Sequence, residues 1–169
     1  MADGNNYAFI DAQNVYMGTR SAGWTVDVFR LRRYLKEKFG VVKAFWFVGY
    51  LPEKRPFYTV LQSAGFIVIF KEVGRDRDGA PKGNVDVDLT LHAVDLKNEY
   101  DQAVILTSDG DFASLVSHLR DRDKLRAVLS PTRTYTSKLL RRAVGSTVTL
   151  RYLDDVREKI ERKSRSQNK

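Results

Sequence analysis

The amino-acid sequence predicts an α/β fold, a three-layer α/β/α sandwich around a central, mainly parallel sheet. Short runs rich in Val, Ile and aromatic residues alternate along the chain with segments of helical periodicity. The first four runs are apolar at nearly every position, as in strands that helices cover on both faces. Strand–helix alternation builds parallel sheets, and right-handed crossovers place helices on both faces. The length of 169 residues suits one such domain.

Six segments are predicted as strands because they concentrate β-branched and aromatic residues between turn signals. They are residues 7–10, 43–50, 66–73, 103–107, 124–129 and, as the weakest, 147–152.

Three segments have the apolar spacing of a helix face. The first follows Asp27, a predicted N-cap, and ends at Gly40. The faces consist of Val28, Leu31, Leu35 and Phe39 in the first helix, Leu89, Ala93 and Leu96 in the second, and Phe112, Leu115, Val116 and Leu119 in the third.

Composition restricts the class of protein. Hydrophobic residues make up 43% of the chain, which indicates a globular domain, and no apolar run has membrane-spanning length. Cysteine is absent, which excludes disulfides and thiolate zinc sites. With no basic segment before an apolar stretch at the N-terminus, we expect a cytoplasmic protein. The net charge of +8 favours a polyanionic partner, most commonly nucleic acid.

The chain is predicted to form a single domain over residues 1–160, followed by a basic disordered tail over residues 161–169. The segment "GRDRDGAPKGN", residues 74–84, is rich in glycine and charge and is predicted to be a mobile loop.

Carboxylates from three separate segments are predicted to meet at one edge of the sheet. Asp11 follows the first strand, and Asp109 and Asp111 follow the strand "AVILT". Asp86 and Asp88 begin the helix that leads into that strand, so they start at the edge where it ends. Ligands of open parallel sheets bind beyond the carboxyl ends of the strands.

Several carboxylates in one cleft repel each other unless a cation binds between them. Mg²⁺ and Mn²⁺ prefer such oxygen ligands, and either ion activates water and stabilises charge on a phosphodiester. Any one Asp at a strand end is more often an N-cap, so the prediction rests on the coincidence of three segments. Asp86 and Asp88 are two residues apart and face different ways on a regular helix, so one of them reaches the metal while the other caps.

Polar and aromatic neighbours leave alternatives open. For Asn14 the alternatives are a functional role, in which it orients a water molecule, bonds Asp11 or contacts substrate, and a purely local role in an Asx-turn. Ser108 bonds a carboxylate or phosphate, or caps a helix. Lys82 neutralises a substrate phosphate or is a solvated loop residue. Tyr16 and Tyr50 stack on bases or pack in the core.

Three segments, "FIDAQNVY", "PKGNVDVDLTLHAVDL" and "ILTSDGDFASLV", resemble in order and spacing the signature segments of the NYN domains of the LabA-like group, within the PIN-like nuclease superfamily. The resemblance extends from about residue 7 to residue 150. It implies a PIN-like α/β/α fold and metal-dependent cleavage of RNA. His92, in the helix after the acidic pair, is a departure from the pattern.

Carried over residue by residue, the resemblance implies metal-binding acids at Asp11, Asp86 and Asp109. Asp88 and Asp111 are further acidic positions. Asn14 and Ser108 match polar positions of the segments, and Lys82 matches a basic one.

The leading hypothesis is a divalent-metal-dependent endoribonuclease that acts on single-stranded RNA with Mg²⁺ or Mn²⁺ held by Asp11, Asp86, Asp109 and Asp111. The alternative is a non-catalytic RNA- or protein-binding regulatory module on a nuclease-like fold. A phospho-aspartate phosphatase is disfavoured because such enzymes carry a second acid two residues after the first, where this chain has Gln13. The segment "KLLRRAV" is either the face of a homodimer or a plain surface helix.

Overall fold

Six strands form one parallel sheet at the centre of the molecule. The computed structural model describes residues 3–79, 81–82 and 84–164. The order in the sheet is β3-β2-β1-β6-β7-β8, and all five neighbouring pairs are parallel. A separate two-stranded sheet pairs β4 with β5. The strands are β1 (Asn6–Asp11), β2 (Val41–Gly49), β3 (Phe66–Lys71), β4 (Gly74–Arg75), β5 (Pro81–Lys82), β6 (Ala103–Leu106), β7 (Leu125–Ser130) and β8 (Thr149–Tyr152).

Helices cover both faces of this sheet and bury its two sets of alternating side chains. Ala8 and Ile10 of β1 belong to one core cluster, and Tyr7 and Phe9 belong to the other. On the first face lie α1 (Ala12–Ser21), α2 (Val28–Phe39), α3 (Arg55–Ser63) and α7 (Arg157–Ile160). On the second lie α4 (Asp86–Asp95), α5 (Ala113–Arg120) and α6 (Lys138–Val144). The predicted three-layer α/β/α sandwich is therefore confirmed.

Three short 3₁₀ turns each connect a strand to the helix that follows it. They span Pro52–Lys54, Gly110–Phe112 and Leu153–Val156. The turn at Gly110–Phe112 joins β6 to α5 and carries Asp111.

Helix α2 has the limits that its sequence predicts. The Asp27 side chain accepts hydrogen bonds from the backbone N–H groups of Phe29 and Arg30, at 3.0 and 3.1 Å. Gly40 ends the helix in the left-handed conformation, at φ 63°. The cap and the terminating glycine are local signals, so the sequence is sufficient to define this element.

The predicted loop over residues 74–84 has paired ends. Gly74 pairs with Lys82 and Arg75 with Pro81 in an antiparallel hairpin. Its turn uses Gly79 at φ 78°, whose N–H donates to the carbonyl of Asp76 at 3.0 Å. The hairpin leads directly toward α4 and its acidic first turn.

Backbone pairing continues past residue 160. Glu161 forms an antiparallel bridge with Val26, and the Arg162 N–H donates to the carbonyl of Thr25 at 2.8 Å. Residues 165–169 of the predicted tail lie outside the described residues, and the predicted domain limit stays a prediction. None of the helices within the described ranges has the length and apolar character that crossing a bilayer requires.

Candidate metal centre

The predicted acidic segments end at one edge of the sheet. Asp11 is the last residue of β1 and the N-cap of α1. Asp109 follows β6, the strand beside β1, and Asp86 is the first residue of α4. Parallel strands and the helices that lead into them place all three acids beyond the carboxyl ends of the central strands.

Asp86, Asp109 and Asp111 form the tightest acidic group of the described structure. Each offers one carboxylate oxygen, and these oxygens lie within 4.8 Å of one another. The Asp109 side chain accepts from the Asp111 N–H at 2.9 Å, and the Asn84 side chain accepts from the Asp86 N–H at 2.8 Å. This all-oxygen donor set fits a hard divalent cation such as Mg²⁺ or Mn²⁺.

Asp11 lies behind this group and is 6% exposed. The pKa of Asp11 is raised from 3.8 to about 6, mainly because the carboxyl group is buried. The charges of Asp86 and Asp109 add to the rise, whereas hydrogen bonds from Asn14 and Thr107 oppose it. The Asn14 N–H and the Thr107 hydroxyl donate to its two oxygens, each at 3.4 Å. Asp11 is coupled to the cluster by charge, although it is not one of the three residues within 4.8 Å.

The pKa of Asp86 is raised by the same causes. Burial contributes most, followed by the charges of Asp109 and Asp111, while the Asn84 hydrogen bond and the Lys71 charge oppose the shift. Mutual repulsion of this kind is relieved when a cation binds, because the ionised carboxylates then face a positive charge.

Asn14 and Ser108 hold the two central segments together. The Asn14 side-chain oxygen accepts from the Ser108 N–H at 2.7 Å and from its hydroxyl at 2.9 Å. Within the described part of the chain, the Ser108 side chain bonds Asn14, and the cap of the following 3₁₀ turn is Asp109. Contact of Ser108 with a substrate phosphate stays a prediction. The pair fixes the start of α1 against the loop that carries Asp109.

Thr107 is a residue of the site that the sequence reading did not single out. It is fully buried, its hydroxyl donates to Asp11, and its oxygen accepts from the Asp109 N–H at 3.1 Å. The available signal was a hydroxyl residue at the end of the apolar run "AVILT".

Asp88 is held outside the acidic group. Its carboxylate pairs with the Lys71 ammonium group at 2.8 Å, and Lys71 is the last residue of β3. Of the two acids in the first turn of α4, Asp86 therefore faces the cluster and Asp88 faces a cation. The sequence reading did not single out Lys71, although a lysine that ends an apolar strand was a visible signal.

The predicted substrate-binding residues are in three different settings. Tyr16 packs edge-on against Trp46 and Phe57, and burial raises the pKa of its phenol. Tyr50 follows β2, and its hydroxyl accepts from the Arg55 guanidinium at 2.7 Å. Lys82 lies in β5, and its side chain is outside what the structure describes. Base stacking and phosphate contact at these positions stay predictions.

Comparison with known proteins relates the chain to one family. The family model described as NYN domain matches residues 7–151. The protein "Low amplitude and bright protein LabA" of Synechococcus elongatus is 28% identical over an alignment 169 residues long, and the alignment covers 93% of this chain and 88% of that protein. A crystal structure of a protein of unknown function from Vibrio parahaemolyticus shares the fold with a TM-score of 0.79 at 26% identity, over 95% of this chain and 97% of that one.

Proposed function

Because the chain belongs to the NYN domain family, which has a nuclease-like fold, we propose that it is a divalent-metal-dependent ribonuclease that hydrolyses RNA phosphodiester bonds. The observation that carries the proposal is the convergence of Asp86, Asp109 and Asp111 within 4.8 Å, with Asp11 buried behind them. These acids gather at one edge of the sheet although the chain has a net charge of +8. The excess of basic residues attracts a polyanion such as nucleic acid.

The three clustered carboxylates are the proposed ligands of Mg²⁺ or Mn²⁺, and Asp11 is the fourth acid of the set. When bound, such an ion supplies charge stabilisation on the phosphate and lowers the pKa of water. Asn14 and Thr107 hold the two oxygens of Asp11 in place. Ser108 in turn fixes Asn14, so the polar residues around the acids act by positioning them.

The proposed substrate is single-stranded RNA cut at internal bonds, because separate strands leave their bases free to contact protein. Lys82 is proposed to contact a phosphate, and Tyr16 and Tyr50 to contact bases. Assembly as a homodimer and a cytoplasmic location stay predictions from the sequence.

The proposal is tested by cleavage of end-labelled single-stranded RNA with Mg²⁺ or Mn²⁺, beside a reaction in EDTA. Helix α4 provides a matched pair of variants, since Asp86 begins it in the cluster and the exposed Asp95 ends it. We expect Asp86→Asn to lower the cleavage rate at least about a hundredfold. Mutation of residues that only hydrogen-bond to metal ligands already lowers metal affinity or activity by about 10–100-fold, and Asp86 is proposed as a ligand itself. Asp95→Asn should cut at the wild-type rate.

Equal rates for wild type and Asp86→Asn would place the chemistry elsewhere. RNA that is bound in EDTA but uncut with either metal would favour the non-catalytic binding module instead.

A further inference from the structure

A shallow groove runs between α5 and α6 and begins beside the acidic cluster. Its volume is about 660 Å³, and Ala113, the first residue of α5, lines it directly after the turn that carries Asp111. Leu139 of α6 also lines it, and the Leu139 Cβ would lie 3.5 Å from a Cβ built on Gly110. The groove therefore begins next to the turn that carries Asp111, one of the acids of the proposed metal centre.

The far end of the groove carries uncompensated positive charge. Arg120 lines the groove and forms an ion pair with Asp121 at 2.8 Å. The charges of Arg122 and Arg142, which also line the groove, are not balanced by this pair. The Arg122 guanidinium donates to the His118 carbonyl at 3.1 Å, a neutral partner. Arg142 is exposed and has no hydrogen bond or ion pair within the described part of the chain.

We propose that this groove, between α5 and α6, binds the backbone of the single-stranded RNA that enters the acidic cluster. The inference rests on the proposed function and adds the path of the substrate. Guanidinium groups match phosphate geometry, and the hydroxyls of Ser114 and Ser117 along the same wall are further donors. Leu139, 58% exposed, presents an apolar surface to a base.

The length of the groove suits a short stretch of one strand. Helix α5 has eight residues. At about 1.5 Å per residue it extends about 12 Å, the length of three to four stacked nucleotides at about 3.4 Å each. Arg122 follows α5 at the end remote from Asp111, so it meets a phosphate several nucleotides from the bond that is cut.

The other basic helix of the chain does not offer the same surface. Helix α2 lies on the opposite face of the sheet. Its Arg30 pairs with Asp27, and its Arg32 donates to the carbonyls of Gly65, Val41 and Val42. Arg33 and Lys36 of this helix are exposed, so they provide a control in which two positive charges are removed far from the groove.

The test compares Arg122→Ala/Arg142→Ala with Arg33→Ala/Lys36→Ala in binding single-stranded RNA in EDTA across a range of salt concentrations. We expect the groove variant to bind about tenfold more weakly and to lower the slope of log K against log salt by about 1.4, for two lost contacts to a single strand. The α2 variant should keep the wild-type slope. Wild-type slope and affinity in the groove variant would overturn the proposal.

Binding and cleavage separate this inference from the proposed function. If wild type binds RNA without cutting it and only the groove variant loses binding, the groove stands and the ribonuclease does not. If wild type cuts RNA and the groove variant binds normally, the ribonuclease stands and the groove does not.

A cross-linking measurement covers the case in which the double variant does not fold. Wild-type protein is irradiated with RNA that contains 4-thiouridine, and the linked peptides are mapped. Links within residues 113–122 or 138–144 support the groove, and links confined to α2 overturn it.

Discussion

At the scale of single residues, Asp11 is the most deeply buried acid of the site. Its carboxylate is buried at the end of the central strand, next to other acids, and its pKa is raised from 3.8 to about 6. In the absence of a cation, its ionisation opposes folding. The position is therefore unfavourable for stability, and a bound positive charge, as in the proposed metal centre, would offset this cost.

Replacing Asp11 should make the metal-free protein more stable at neutral pH. Because the pKa in the folded state lies above the unfolded value, the contribution of Asp11 to stability is fully present below pH 3.8 and is lost as the pH rises through about 6. We expect Asp11→Asn to raise the free energy of unfolding in EDTA by about 2–3 kcal/mol at pH 7.

Urea unfolding of both proteins across this pH range measures the effect. The difference between them should grow from pH 3.8 to about 6 and then level off. A difference in the free energy of unfolding that does not change with pH would mean that the pKa of Asp11 is not raised in the folded protein.

The sequence was sufficient to predict the acids of the site, but it did not define all their partners. Acids that end apolar strands are visible as a local pattern, whereas the bond from Ser108 to Asn14 joins residues 94 positions apart. The Thr107 to Asp11 bond spans 96 positions. Likewise, only the position of Lys71 shows that Asp88 has a different partner from Asp86.

At the scale of elements, helix α6 is packed against the turn that holds Asp109 and Asp111. The Ser137 N–H, just before α6, donates to the Ser108 carbonyl at 3.1 Å. A Cβ built on Gly110 would overlap the Ser137 hydroxyl. Gly110 is therefore required for the close approach of α6, which aligns one wall of the groove with the acids.

A double-mutant cycle tests this contact. Gly110→Ala should lower the free energy of unfolding by about 1–3 kcal/mol, the usual effect of a methyl group forced into a packed site. Ser137→Gly removes the side chain that the new methyl group would meet. The Ser137 hydroxyl caps α6 by accepting from the Leu139 N–H, but glycine is also a good capping residue, so this substitution alone should lower the free energy of unfolding by only a few tenths of a kcal/mol.

The combined variant should recover most of the stability that Gly110→Ala alone loses, as measured by urea unfolding. If Gly110→Ala has the same effect with and without Ser137→Gly, the two residues do not meet as described.

Elements with local signals were predicted better than elements defined by tertiary contacts. Helix α2 has its cap, its apolar face and its terminating glycine in sequence. Helix α1 was not predicted as a helix, because Asn14 and Gly18 are poor helix formers. The structure accounts for Gly18, since a Cβ there would overlap Pro131, a residue more than a hundred positions away.

At the scale of the whole molecule, strand order brings the acids together. Strand β1 leads to β2 and β3 on one side, while β6 leads to β7 and β8 on the other. The chain therefore diverges at the β1–β6 pair and leaves a crevice at its carboxyl edge. Asp11, Asp86 and Asp109 are distant in sequence, and this topology is what places them at one site.

The most direct test of this account is calorimetric titration of Mn²⁺ into wild type, Asp86→Asn and Asp88→Asn. The two variants remove neighbouring charges from the same helix, but only Asp86 faces Asp109 and Asp111, whereas Asp88 faces Lys71. We predict one bound ion in wild type, nearly unchanged affinity in Asp88→Asn, and affinity at least about tenfold weaker in Asp86→Asn. Equal affinity in all three proteins would contradict the proposal that these acids form a metal centre.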